Sequence, residues 1–276
     1  MRLVDSHCHL QADPFDVDLD LVIGGARVAG VERILVPGWD PESCSGALRV
    51  VDRYPWLDAA VGVHPHDAAN VDESAWSQIV KLASDERVVA VGETGLDFDR
   101  VFSPIAAQLE NLRRNLRLAL DVGKPAILHC RSAASRRDAQ DALVAELVEA
   151  GVGGATARAS FGGRPPAVIH SYSGPPDFGA RVLDMGLAIS FSGLVFRAGE
   201  ESSAEVAALV PGDRLLVETD SPFLSPPGAP RRRNEPEWVA VTAAWVADRR
   251  NEERDGLGAG LVAAYDAIFP RPGRPA

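Results

Sequence analysis

Val88-Val89-Ala90-Val91-Gly92-Glu93 is a short, β-forming apolar run that leads into a carboxylate. The pattern recurs along the chain. Ala126-Ile127-Leu128 leads to His129, Ala167-Val168-Ile169 to His170, and Leu215-Leu216-Val217 to Asp220. At the start, a strand-like stretch leads to His7-Cys8-His9, whose histidines stand two apart and so share one face of an extended chain. One such residue at a strand end means little. Six at the same end of their strands point to a metal site at the mouth of a barrel.

Working outward, apolar β-branched runs alternate with amphipathic stretches along the whole chain. The strand pattern falls at 2–6, 33–37, 57–63, 87–92, 125–129, 166–170, 186–191 and 214–219. Helical periodicity falls at 17–30, 42–53, 72–84, 103–122, 135–150, 175–185, 200–210, 235–249 and 257–268. Asp72 and Ser103-Pro104 read as helix starts, and Gly123, Gly151 and Gly186 as helix ends. Eight strands alternating with helices imply an α/β fold with a parallel sheet, and the number suits a closed (β/α)8 TIM-like barrel. A doubly wound open sheet is the other arrangement with this periodicity. The scattered ligands favour the barrel, because strand ends far apart in an open sheet converge around a barrel mouth. Residues 1–269 read as one domain, 151–166 as a Gly- and Arg-containing loop on the opposite face, and 270–276 as a disordered tail.

Composition narrows the function classes. Among 276 residues no apolar stretch is long enough to span a bilayer, and Met1-Arg2-Leu3-Val4-Asp5-Ser6 lacks the apolar core of a signal peptide. Three cysteines without a CxxC argue against a disulfide framework and for a reducing cytoplasm. The net charge of −11 counts against a broad nucleic-acid coat, though not against an enzyme that holds a phosphodiester through cations and local arginines.

The chain resembles the TatD family of metal-dependent deoxyribonucleases, within the amidohydrolase-like metal-dependent barrels. The resemblance is carried by Asp5-Ser6-His7-Cys8-His9-Leu10, Gly62-Val63-His64-Pro65-His66 and Gly92-Glu93-Thr94-Gly95-Leu96-Asp97. It continues through His129-Cys130-Arg131, His170-Ser171-Tyr172-Ser173-Gly174, Ser190-Phe191-Ser192-Gly193 and Glu218-Thr219-Asp220-Ser221-Pro222-Phe223-Leu224. It implies two divalent ions (Mg, Mn or Zn), one taking His7, His9 and Asp220, the other His129 and His170, with Glu93 bridging. A carboxylate has two oxygens and can hold paired cations, and imidazole nitrogens suit transition metals. The implied reaction is hydrolysis of DNA by metal-activated water, with Asp220 and Glu93 as catalytic residues and Asp220 as general base. Single-stranded or frayed ends would be trimmed 3'–5' by a monomer that needs no membrane. The chain departs from the family pattern of Arg-Gly before a basic residue and Asn-Glu-Pro, since Arg231-Arg232-Arg233-Asn234-Glu235-Pro236 lacks the glycine, and in Ala264, where the family commonly has asparagine.

Beside those ligands, His64, Arg131 and Ser173 read as substrate contacts, Arg131 as a bidentate phosphate clamp. Arg100, Arg131, Arg136, Arg137, Arg197 and Arg231-Arg232-Arg233 fall in the predicted mouth loops and suit a polyanion. Cys8, Cys44 and Cys130 read as packing residues. Two rival functions share the motifs: hydrolysis of another ester or amide, such as aminoacyl-tRNA or a small phosphoester, and a catalytically idle metal-binding barrel.

Overall fold

A computed structural model describes residues 1–271. Within them the eight apolar runs become eight parallel strands: β1 Leu3–Asp5, β2 Val31–Pro37, β3 Asp58–Val61, β4 Val88–Asp97, β5 Ala126–Arg131, β6 Ala167–Ile169, β7 Ala188–Phe191 and β8 Leu215–Val217. Each strand pairs with its successor in sequence, in the order β1 to β8. Nearly every strand residue is buried, as expected of a parallel sheet covered by helices outside and side chains within.

The seam between β8 and β1 decides between an open sheet and a barrel. Ser6 donates its N–H to Val217 O at 3.0 Å, Asp220 to His7 O at 2.9 Å and His9 to Ser221 O at 2.8 Å. Cys8 and Ser221 form a parallel bridge. An open doubly wound sheet would leave β1 and β8 apart, so the ring is closed, and β4 stands across the mouth from β8.

The helices are α1 Leu19–Val28, α2 Pro41–Arg53, α3 Glu73–Ala83, α4 Ile105–Val122, α5 Asp138–Glu149, α6 Ala155–Ser160, α7 Pro176–Asp184, α8 Ser203–Leu209, α9 Val239–Arg250 and α10 Arg254–Ile268. Asp72 caps α3 by accepting the Ala75 N–H, and Gly123 ends α4 in the left-handed conformation. No helix among the described residues is long and apolar enough to cross a membrane.

Three expectations shift. Ser103 does not cap α4; its hydroxyl donates to His66 O at 2.7 Å and accepts the Ala69 N–H, tying two mouth loops together. The 151–166 segment contains α6, anchored by the buried Phe161 and Val152. Most consequential, β4 does not stop at Gly92 but runs on to Asp97. Gly92 (φ 136°) and Gly95 (φ 138°) carry the chain through a register shift against β5. Of the tail expected over 270–276, Arg271 donates to Leu57 O at 2.7 Å, and 272–276 lie outside the described residues.

Candidate metal centre

Strand periodicity places His7 and His9 on the mouth side of the β1 extension, while Cys8 turns into the core, fully buried. Asp5, also buried, accepts the Thr219 N–H at 2.9 Å and its hydroxyl at 2.6 Å. This crosslink fixes the β8 loop against β1 and so sets Asp220 beside the two histidines. Asp220 itself sits at φ 57°, a backbone state uncommon for a side-chain-bearing residue and often associated with functional sites.

Four side-chain atoms converge there. His7 Nε2 lies 3.2 Å from His9 Nε2, 3.1 Å from Glu93 Oε2 and 3.7 Å from Asp220 Oδ1. His9 Nε2 lies 3.6 Å from Glu93 Oε2 and 3.5 Å from Asp220 Oδ1. Ligands about 2.1 Å from one tetrahedral cation stand about 3.4 Å from each other, so the set has the spacing of a coordination shell. Glu93 Oε1 faces the other way, 2.9 Å from His170 Nε2, 3.2 Å from His129 Nδ1 and 3.2 Å from His64 Nε2. His129 Nδ1 and His170 Nε2 are 3.3 Å apart. One buried carboxylate thus presents an oxygen to each of two histidine groups.

The electrostatics suit a cation. Burial alone would raise the Glu93 carboxyl, but the surrounding His64, His170 and His7 hold it well below the ordinary range. Asp220 is likewise held low, against burial, chiefly by its hydrogen bond from His9. Burial pushes His64 down to about 4, leaving a neutral imidazole with a free lone pair. Against burial, Glu93 and Glu218 push His170 up, Asp97 and Glu93 push His129 up, and Asp220 and Glu93 push His9 up, so the carboxylates draw positive charge into the cluster, a role a divalent ion would take over. The donor set therefore fits a metal.

Two acids that sequence reading passed over hold the histidines in place. Glu218 sits 3.1 Å from His170 Nδ1, and Asp97 sits 3.2 Å from His129 Nε2 and 2.9 Å from His66 Nε2. Burial works against ionised Asp97, but the hydrogen bonds from His129 and His66 hold its carboxyl far below the usual range. Such partners fix ring orientation and tautomer, leaving the opposite nitrogen to face the ion. Their signal was present in the spacing: Asp97 follows Glu93 by four along one strand, and Glu218 precedes Asp220 by two.

His64, assigned to substrate, is drawn in among the candidate ligands instead of standing apart from them. Arg131 pairs with Asp99 at 3.0 Å, and the Ser173 hydroxyl donates to Glu200 at 2.9 Å. Both line a cleft of ≈ 990 Å³ that opens over the histidines, with Arg100, Arg197, Arg231 and Arg232 also on its wall. The rest of the expected basic mouth is committed elsewhere. Arg136 pairs with Asp138, Arg137 with Asp141 and Asp177, and Arg233 with Asp18 and Glu235.

Known proteins are similar in sequence and fold. The family model for TatD related DNase matches residues 4–270. The "uncharacterized metal-dependent hydrolase YabD" of Bacillus subtilis is 36% identical over 246 residues, covering 89% of this chain and 90% of that one. The "3'-5' ssDNA/RNA exonuclease TatD" of Cronobacter sakazakii is 34% identical over 282 residues, covering 99% and 100%. The crystal structure of YJJV, a TatD homologue from Escherichia coli K12, superposes with a TM-score of 0.85 at 28% identity, covering 98% and 99%. With a matching model over nearly its whole length and relatives alike from end to end, the chain belongs to the TatD family of metal-dependent hydrolases.

Proposed function

We propose that the protein hydrolyses the phosphodiester bonds of DNA as a 3'–5' exonuclease on single-stranded or frayed ends. The observation that carries the reading is Glu93, whose two oxygens each face a separate histidine group. We assign His7, His9 and Asp220 to one divalent ion, His129 and His170 to a second, and Glu93 to both, with His64 as a further nitrogen beside the second. Two such ions, Mg, Mn or Zn, supply Lewis-acid polarisation of the phosphate and activation of water when bound.

The residues divide the remaining work. Asp220, ionised and at the inner edge of the cleft, orients the attacking water and takes its proton as general base. Glu218 and Asp97 keep His170 and His129 aimed. Arg131 clamps a phosphate oxygen, Ser173 contacts the neighbouring sugar-phosphate, and Arg231 and Arg232 draw in the strand. The polarity and the single-stranded preference rest on the relative's printed activity. We take the monomer as the working unit, because every residue assigned here belongs to one chain, and the cytoplasm as its location, which the three buried free cysteines suit.

The test is digestion of end-labelled single- and double-stranded DNA by metal-stripped protein refilled with Mg, Mn or Zn, beside Asp220→Asn. We expect metal-dependent trimming in the wild type and a drop in turnover of at least about 100-fold in the variant. Near-wild-type turnover in Asp220→Asn would overturn the general-base role. Metal uptake without any trimming would overturn the nuclease.

A further inference from the structure

The chain has nine Phe, five Trp and three Tyr residues. All lie within the described residues, and only Phe102 and Phe223 are exposed, at 72% and 58%. Both stand at the histidine cluster. The Phe223 ring is edge-on to His9 at 6.1 Å, and the Phe102 ring is edge-on to His66 at 4.7 Å. Phe223 follows β8 and Phe102 follows β4, so they stand at opposite sides of the barrel mouth, Phe223 on the wall of the cleft and Phe102 beside His66, which also lines it.

Phe223 is held out, not left loose. Its N–H bonds to Asp220 O at 2.8 Å, and the neighbouring Pro222 O accepts the Asn234 N–H at 3.0 Å. Asp220 and Leu224 on either side are both left-handed, at φ 57° and 51°. Leu224 is pressed so closely on Gly193 that a Cβ there would sit 1.8 Å from Leu224 O. A fold that buries or half-buries every other aromatic side chain here presents two rings to solvent, Phe223 on a constrained backbone.

We infer that Phe223 and Phe102 are base-stacking platforms on the two sides of the scissile phosphodiester, each receiving one nucleobase of a single strand. The inference rests on the nuclease reading and deepens it. Stacking on an aromatic face needs an unpaired base and tolerates any base, so the two rings would select for strand state and not for sequence. Arginines on the cleft wall provide the backbone attraction that accompanies such platforms.

The experiment compares steady-state digestion of a single-stranded oligonucleotide with that of one carrying abasic residues at its two terminal positions. Phe223→Ala and Phe102→Ala should each raise KM on the base-bearing strand by about 5- to 100-fold, with the change in KM and not kcat, and Phe→Trp at either position should restore it. On the abasic strand the wild type should show the raised KM already, and the alanine variants should change it by less than about twofold. An unchanged KM on the base-bearing strand, or an equal rise on both strands, overturns the platforms while digestion itself continues. A wild type that digests neither strand with any metal overturns the nuclease reading and the platforms with it, a separate result.

Discussion

At the scale of single residues, the donor atoms were legible and their supports were not. His7 and His9 advertise themselves by spacing, and Glu93, His129, His170 and Asp220 by following short apolar runs. Glu218 and Asp97 carry the same spacing signal, but an acid near a strand end has no fixed meaning until a histidine ring nitrogen is seen 3.1–3.2 Å away. Glu218→Gln should therefore leave the barrel intact and weaken metal uptake or turnover by about 10- to 100-fold. Titrating the stripped variant with metal, beside kcat of the loaded form, checks this. Wild-type behaviour in both would mean that His170 is aimed by packing alone.

At the scale of elements, existence was easier to read than length. Apolar runs mark all eight strands, yet β4 continues past the glycine that ordinarily signals a stop. The chain passes Gly92 and Gly95 because both adopt positive φ, and Gly95 pairs with His129 on β5 so closely that a Cβ would lie 2.0 Å from His129 O. That continuation carries Asp97 to His129, which no local propensity foretells. Gly95→Ala should lose about 3 kcal/mol or more of stability and most activity, because backbone and not a flexible side chain blocks the new methyl. Gly123→Ala, where nothing lies within 4 Å, should cost only about 1–2 kcal/mol for its left-handed φ. Thermal melts of the two variants provide the comparison, and equal losses would contradict the close approach of β4 and β5. The helix α6 was read as loop because six residues, five of them small, carry little periodicity.

At the scale of the whole molecule, the net charge of −11 and the basic mouth look contradictory until pairing is known. Sequence position placed the arginines near the mouth but could not say which are neutralised. Arg233 reaches Asp18, 215 residues away in the chain. Among the described residues Arg231 and Arg232 make no ion pair and line the cleft. Replacing both with Ala should flatten the dependence of log KM on log salt by about 1–1.5, roughly 0.7 for each phosphate of a single strand that is no longer neutralised. Arg233→Ala should leave that slope in place and lower the melting temperature instead, because its ion pairs with Asp18 and Glu235 disappear. A slope that shifts with Arg233 alone would reverse the assignment.

The seam joins the first few residues to the last strand: Asp5 holds Thr219 across 214 residues of sequence, and Asp220 donates its N–H to His7 O. During synthesis, His7 and His9 leave the ribosome long before the segment that completes their pocket. A growing chain stalled or abandoned before β8 has no Asp220 and no lock on its first strand. The order of translation thus acts as a safety catch, keeping an unfinished copy from assembling the half of its candidate site that β1 and β8 must share across 214 residues.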